Sequence, residues 1–355
     1  MAGALEGLTV LEFAGIGPGP FACMMLADHG ARVIRIDRPS KGARVGDEGQ
    51  RDILNRNRER IELDLKDPLA IAQIRDLVKQ ADAIVEGFRP GVMERLGLGP
   101  DVLLADNPKL VFGRMTGWGQ DGPMAPLAGH DINYIALAGA LHGFGQAGGK
   151  PQFPINLVGD FGGGGMLMAF GVMAAVFSAQ QTGQGQVIDC AMVDGAAILS
   201  AMTYTFLGNG RWKDERGVNL LDGGAHFYDT YETSDGKYVS IGSIEPQFYA
   251  LLLEKTGLAN DPEFAPQMDP RVWPKLKERL TALFLTKTRD DWCAIMDGTD
   301  ICFAPVLSLR EAPKHPHNAQ RGSFIEDQGM VMPAPAPRFL GTPAPRPSLA
   351  GRSKG

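Results

Sequence analysis

A chain of 355 residues with 44% hydrophobic and 21% charged residues is ordinary globular material, long enough for two domains with sizeable cores, and a structured enzyme is the expectation. The formal net charge of -6 gives no reason to expect nucleic acid or an anionic membrane as partner, so an anionic ligand has to be held by a local basic cluster. Cys23, Cys190, Cys293 and Cys302 form no CxxC pair, which indicates neither zinc nor a disulfide framework and predicts buried reduced thiols.

In chain order, Leu8–Phe13 reads as a strand, Phe21–His29 as an apolar helix and Arg32–Asp37 as a second strand after the helix-stopping Gly30. Ala70–Gln80 suits a helix, and Ala83–Glu86 and Lys109–Met115 suit strands. Strand–helix alternation predicts an α/β fold, a Rossmann-like large domain with a mainly parallel sheet covered on both faces. Helices are expected over Ile132–Leu141, Met166–Gln180 and Met192–Phe206. The apolar run Met166–Phe177 is too short to cross a bilayer core and reads as a buried helix, with no membrane span expected. Phe227–Thr233 and Lys237–Gly242 flank Ser234-Asp235-Gly236, a hairpin signal, and helical stretches follow at Pro246–Thr256 and Val272–Leu285. That change of pattern predicts a smaller α+β domain. The expected boundaries are 1–190 for the large domain, a linker helix region over 191–224, and the small domain over 225–317. The Pro/Ala-rich tail from Met332 favours extended chain lying over another surface. The N-terminus has no basic segment followed by an apolar core, and Arg352-Ser353-Lys354-Gly355 is neither a peroxisomal nor a prenylation signal. The expected location is therefore cytoplasmic.

Gly15-Ile16-Gly17-Pro18-Gly19-Pro20 lies between strand and helix like a dinucleotide fingerprint, but Pro20 takes the third glycine's place and the two prolines remove backbone donors. It reads as a rigid strand-to-helix turn.

Two polar islands carry the chemistry: Gly129-His130-Asp131-Ile132-Asn133-Tyr134, and Asn156-Leu157-Val158-Gly159-Asp160 running into Phe161 and Gly162–Gly165. An imidazole and a carboxyl facing one carbon from opposite sides can remove a proton on one face and return one on the other, which is racemase chemistry. Each group also has a structural reading. His130 can bond a carbonyl, and Asp160 can cap a helix whose glycines merely permit close packing. The four glycines exceed what a cap needs and point to a ligand or a second backbone approaching closely. Asn156 is placed to orient the Asp160 carboxyl, and the Asp131 backbone N–H is a candidate donor to an enolate oxygen. Glu245, at a strand-to-helix junction, is either a cap or the group that holds the histidine's second nitrogen. Arg35, Arg38, Arg51, Arg56, Arg58, Arg60, Lys66, Arg89 and Arg95 read mostly as surface charges. Arg38, Lys66 and Arg89 stand at or just beyond strand ends, where an open parallel sheet binds phosphates. No metal site is expected.

These islands, with Glu12–Pro20, Glu86-Gly87-Phe88-Arg89-Pro90-Gly91, Met115–Gln120, Asp222–Ala225 and Ile244–Tyr249, resemble the alpha-methylacyl-CoA racemases of the family III CoA-transferase superfamily over nearly the whole chain. The resemblance implies that His130 and Asp160 are the acid/base pair, supported by Glu245 and Asn156. It implies CoA contacts at Arg38, Lys66, Arg89 and Arg95, loops Leu63-Asp64-Leu65-Lys66 and Gly87-Phe88-Arg89 around the nucleotide, and further contacts at Gly129 and Tyr134. It also implies a large domain completed by the C-terminal segment 318–355, an interlocked homodimer with the active site at a subunit interface, and no cofactor beyond the CoA carried by the substrate. The expected reaction is interconversion of 2-methylacyl-CoA epimers by 1,1-proton transfer. The alternatives are a CoA-transferase of the same superfamily using Asp160 as nucleophile, and a non-catalytic acyl-CoA-binding homologue.

Overall fold

The computed structural model describes residues 3–39 and 52–351; Arg51 and the last four residues of the 318–355 segment lie outside them. The chain divides into two compact units, one comprising residues 1–138, 154–200 and 316–355 and the other 139–153 and 201–315. The stretch expected as a linker, 191–224, is thus split after Ser200.

The elements follow in chain order as β1 (Thr9–Phe13), α1 (Pro18–Asp28), β2 (Arg32–Asp37), β3 (Arg58–Glu62), α2 (Pro68–Val78), β4 (Ala83–Glu86), α3 (Val92–Arg95), α4 (Pro100–Asp106), β5 (Val111–Thr116) and α5 (Asp131–Leu137). A π-helix over Leu157–Met166 then runs into α6 (Leu167–Thr182), followed by β6 (Gln186–Ala191), α7 (Met192–Leu199) and α8 (Ala201–Gly208). The second unit continues with β7 (Tyr228–Glu232), β8 (Tyr238–Gly242), α9 (Pro246–Thr256), α10 (Trp273–Phe284), α11 (Arg289–Met296) and β9 (Phe303–Pro305). The chain ends in the first unit with α12 (Pro316–Arg321) and the hairpin β10 (Phe324–Asp327) and β11 (Met330–Pro333).

The first unit is built on a six-stranded parallel sheet in the order β3-β2-β1-β4-β5-β6, so the expected α/β class holds. Sequence patterning missed β3 and β6. Alternating charges in Arg58-Glu59-Arg60-Ile61-Glu62 mask a strand in which Arg58 is buried against Glu12, while Arg60 and Glu59 pair with Asp37 and Arg32 nearer the surface.

Arg38, Arg60, Lys66, Arg89 and Arg95 are exposed, but the reading as surface charges is corrected for Arg35, Arg56 and Arg58, which are buried. Glu12 on β1, 1% exposed, takes Arg35 Nη1 on one carboxylate oxygen at 2.8 Å and Arg58 Nε on the other at 2.6 Å. Arg58 also donates to the Pro20 carbonyl at 2.7 Å and the Arg56 carbonyl at 3.0 Å. Arg35 and Arg60 share Asp37. Arg56 pairs with buried Asp28 and donates to the Pro333 carbonyl at 2.7 Å. A buried ion costs several kcal/mol unless its lone pairs and protons are met, and here strands, turn and C-terminal hairpin meet them.

The tail is tied to the same unit. Asn57 N–H donates to Ser348 O at 2.9 Å, and Ser348 N–H donates back to Asn57 Oδ1 at 2.8 Å.

The helical run 157–182 is 26 residues long and contains an 18-residue stretch of mean hydropathy 1.6, sufficient by length and composition to span a membrane. It is instead the core helix of the sheet: Met168, Ala169, Val172, Ala175, Val176 and Ala179 are buried, and Met168 lies against Gly113 of β5. The expectation of a buried helix thus holds for one face and is corrected for the other, where Phe170 and Phe177 are 70% and 63% exposed. The cysteine expectation is corrected as well: Cys23 and Cys190 are buried, Cys293 is half-buried and Cys302 is exposed. The helix expected over Met192–Phe206 is interrupted at Ser200.

The second unit pairs the predicted hairpin, turning at Gly236 with φ +69°, with β9 in an antiparallel sheet packed on its helices. Inside it, His226 is fully buried and bonded to the Tyr249 hydroxyl at 2.8 Å, which donates in turn to Phe264 O. Burial pushes its pKa down to about 4.

Removing Arg58 leaves a buried carboxylate short of a partner and two carbonyls short of donors. Arg58→Met is expected to destabilise the protein by about 3–5 kcal/mol in urea unfolding; a loss under about 1 kcal/mol would contradict a structural role for the network.

Candidate active site

In the strand order 3-2-1-4-5-6 the winding reverses between β1 and β4, so the loops leaving their C-terminal ends part and open a crevice. A cavity of about 670 Å³ lies there, walled by Phe13–Pro20 after β1, Val85–Pro90 at the end of β4, Met115–Trp118 at the end of β5, and by Gly129, His130, Tyr134, Asn156, Asp160 and Met192.

The glycine- and proline-rich turn is one of these walls rather than only a stiff connector. Gly17 has φ +69°, a conformation that favours glycine, and Pro18 begins α1 where no backbone donor is needed. A Cβ on Gly17 would stand 3.3 Å from Asp160 Oδ2, so the absent side chain leaves the carboxyl room.

His130 immediately precedes α5 in extended conformation, and its backbone N–H donates to Asn133 Oδ1 at 3.1 Å. Asp131 is buried, and its Oδ1 accepts the Asp160 backbone N–H at 2.7 Å. This bond ties the segment bearing the imidazole to the segment bearing the carboxyl. Gly159 permits it, because a Cβ there would collide with Asp131. Tyr134, below His130, donates its hydroxyl to Gly129 O and sets its ring at 4.8 Å from Trp118. The Trp118 indole nitrogen is buried without a partner.

Asp160 sits in the π-helix, a form often found at functional sites. It follows Ile155, a β-branched residue at φ +55°, a strained conformation that turns the chain sharply into the site. The four glycines answer the question left open by the sequence: a second backbone approaches. A Cβ on Gly163 would strike Gly195 and Ala196 of α7, and Cβ atoms on Gly164 and Gly165 would strike Pro18, Met192 and Phe21. The π-helix is thus wedged between α1 and α7, which holds Asp160 by backbone contact.

Partial burial raises the Asp160 carboxyl above its ordinary pKa. The hydrogen bond from Asn156 Nδ2 to Oδ2, at 3.0 Å, opposes that rise, Asp131 adds to it, and His130 counters it. Tyr134 is pushed up to about 12 by burial and the neighbouring carboxylates.

The sequence-expected residues His130, Asn156, Asp160, Gly129, Tyr134, Gly87, Phe88 and Arg89 meet in the cavity. Asp131 stands behind it as an anchor. Arg38 is exposed beyond β2 with its guanidinium 5.2 Å from the Phe88 ring centroid. Leu63, Asp64 and Lys66 occupy the loop after β3, where Asp64 accepts the Lys66 N–H, while Leu65 is buried in the sheet's core and Arg95 is exposed on α3. Glu245 is exposed at the start of α9, in the second unit. Sequence reasoning missed Glu86, Trp118 and the β1–α1 turn as lining groups. Their signal was position, since all follow strand ends flanking the reversal in strand order. Among the described residues, no three His, Cys, Asp or Glu side chains gather as a metal set.

A model of CoA-transferase family III matches residues 5–350. The chain is 47% identical to the alpha-methylacyl-CoA racemase of Homo sapiens, covering 96% of this chain and 88% of that protein. The corresponding Mus musculus protein is 47% identical over 96% of this chain and 87% of its own length. A crystal structure of a CAIB/BAIF family protein from Brucella suis superposes with a TM-score of 0.83 at 27% identity, covering 100% of this chain and 97% of that one.

Asn156 favours the ionised form of Asp160. Asn156→Ala is therefore expected to raise the carboxyl's pKa further, shifting the Asp160 band in an infrared pH titration, assigned by difference against Asp160→Asn, to higher pH. An unchanged or lowered midpoint would contradict the geometry.

Proposed function

The chain belongs to CoA-transferase family III, and we propose that within it this protein is a racemase interconverting the (2R) and (2S) epimers of 2-methyl-branched acyl-CoA thioesters. The observation that carries the reading is one cavity holding His130 together with a carboxyl, Asp160, whose surroundings favour its protonated form more than water does. The high identity to proteins named alpha-methylacyl-CoA racemase supports the substrate class.

A thioester acidifies its α-proton enough for a side-chain base to take it, provided the enolate oxygen meets a donor. Neutral His130 removes the proton from one face, and protonated Asp160 delivers one to the other. In the reverse direction Asp160 is the base and His130 the acid. The Asp131 backbone N–H is assigned to the enolate oxygen, Asn156 to the orientation of Asp160, and Glu245 to the support of His130 in the assembled protein. The CoA portion is assigned to Arg38, the Leu63–Lys66 and Gly87–Arg89 loops, and Arg95. The reaction moves only protons, so CoA enters as part of the substrate and no electron carrier is called for.

We also infer a homodimer. Phe170 and Phe177 on α6 and Ile198 and Leu199 on α7 are exposed in the single chain, and a second copy would remove that apolar area from water.

The test is a chiral assay from each pure epimer with purified protein. Both epimers are expected to converge on one mixture, and Asp160→Asn and His130→Ala each to slow interconversion by about 10²–10⁴-fold. Failure of wild type to interconvert them would overturn the reading. A new CoA ester formed on adding a free carboxylic acid would indicate Asp160 acting as a nucleophile in transfer.

A further inference from the structure

Glu86 ends β4 and lines the cavity, yet the proton-transfer scheme gives it no role. It is 1% exposed. Its Oε2 accepts the Phe88 backbone N–H at 2.7 Å and its Oε1 accepts Arg114 Nε, from β5, at 3.2 Å. Arg114 is shared, for its Nη1 lies 2.9 Å from Glu94 on α3. Phe88 in turn packs edge-on against Phe13 and carries the Arg38 guanidinium over its ring. One carboxylate thus fixes the backbone of the rim segment Gly87-Phe88-Arg89 and, through the Phe88 ring, the platform beneath Arg38.

We propose that Glu86 is a positioning residue that holds this rim in the shape required by the CoA portion of the substrate. The proposal rests on the acyl-CoA reading above. The hold is strongest when the carboxylate is ionised, because a hydrogen bond to a charged acceptor is about twice as strong as a neutral one. Burial pushes Glu86 up to about 7; the Phe88 N–H and Arg114 pull it down, and Glu94 pushes it up. As the pH falls through neutrality the carboxylate gains a proton, the bond to Phe88 weakens and the rim loosens. Affinity for CoA accordingly falls as the solution becomes more acidic.

The experiment is calorimetric binding of CoA between pH 6 and pH 8 to wild type, Glu86→Gln and Glu94→Gln, with thermal melting to establish that each variant is folded. The titration of CoA's own 3′-phosphate is common to all three and cancels when dissociation constants are compared as ratios. At pH 8 Glu86→Gln is expected to bind about tenfold more weakly than wild type, and the ratio is expected to shrink towards 1 at pH 6. Glu94→Gln releases Arg114 to Glu86 and removes a neighbouring negative charge, so it is expected to move the wild-type inflection to lower pH. In turnover, the loss in Glu86→Gln is expected in KM rather than kcat. Equal binding by wild type and Glu86→Gln at pH 8, or a ratio constant with pH, overturns the proposal while leaving the acyl-CoA reading intact. Absence of CoA binding by wild type overturns that reading, and the proposal with it.

Discussion

The large unit depends on one buried carboxylate, that of Glu12. By accepting from Arg35 and Arg58 at once it joins β1, β2 and β3, and through the second arm of Arg58 it reaches the Pro20 carbonyl at the start of α1. The turn it secures carries Gly17, which faces Asp160, and Pro18, against which Gly164 and Gly165 of the π-helix pack. A charge network in the sheet thereby sets the position of a wall of the cavity, and an ion pair that contributes little net stability against an apolar alternative gains its value from the geometry it imposes.

From that wall the arrangement propagates by close backbone approach. Glycines let the π-helix press between α1 and α7, and Asp131 bonds the Asp160 amide. The two proposed proton-transfer groups therefore belong to segments locked to one another and to the sheet, with little left to loop flexibility. Such preorganisation suits a reaction whose intermediate has to be held while a second proton arrives from another group.

The parallel sheet was legible because the apolar runs of β1, β2, β4 and β5 alternate with helical stretches. β3 was not, because its charged residues find their partners on neighbouring strands, Arg58 with Glu12, Arg60 with Asp37 and Glu59 with Arg32, and leave no apolar signature. The helix after Asp160 was visible from its hydropathy, but its π-helical first turns were not, since the widened winding is imposed by contacts with Pro18 and Gly195 that no local pattern encodes. His130, Asn156 and Asp160 were identifiable from residue type and neighbours. Glu86 was hidden in plain view within a motif, because its role as a cavity group follows from strand order. Arg56 and Arg58 were misread as solvated because their partners, Asp28 and Glu12, lie 28 and 46 positions away.

The central claim is that two different groups serve the two faces of one carbon. It is tested most directly by presenting a single 2-methylacyl-CoA epimer in deuterium oxide and analysing both epimers at low conversion for deuterium at C2. With His130 taking protium from one face and Asp160 supplying solvent deuterium on the other, the newly formed epimer carries deuterium while the remaining substrate retains protium. A product that keeps the original proton would show one base carrying it across, and would contradict the two-group mechanism.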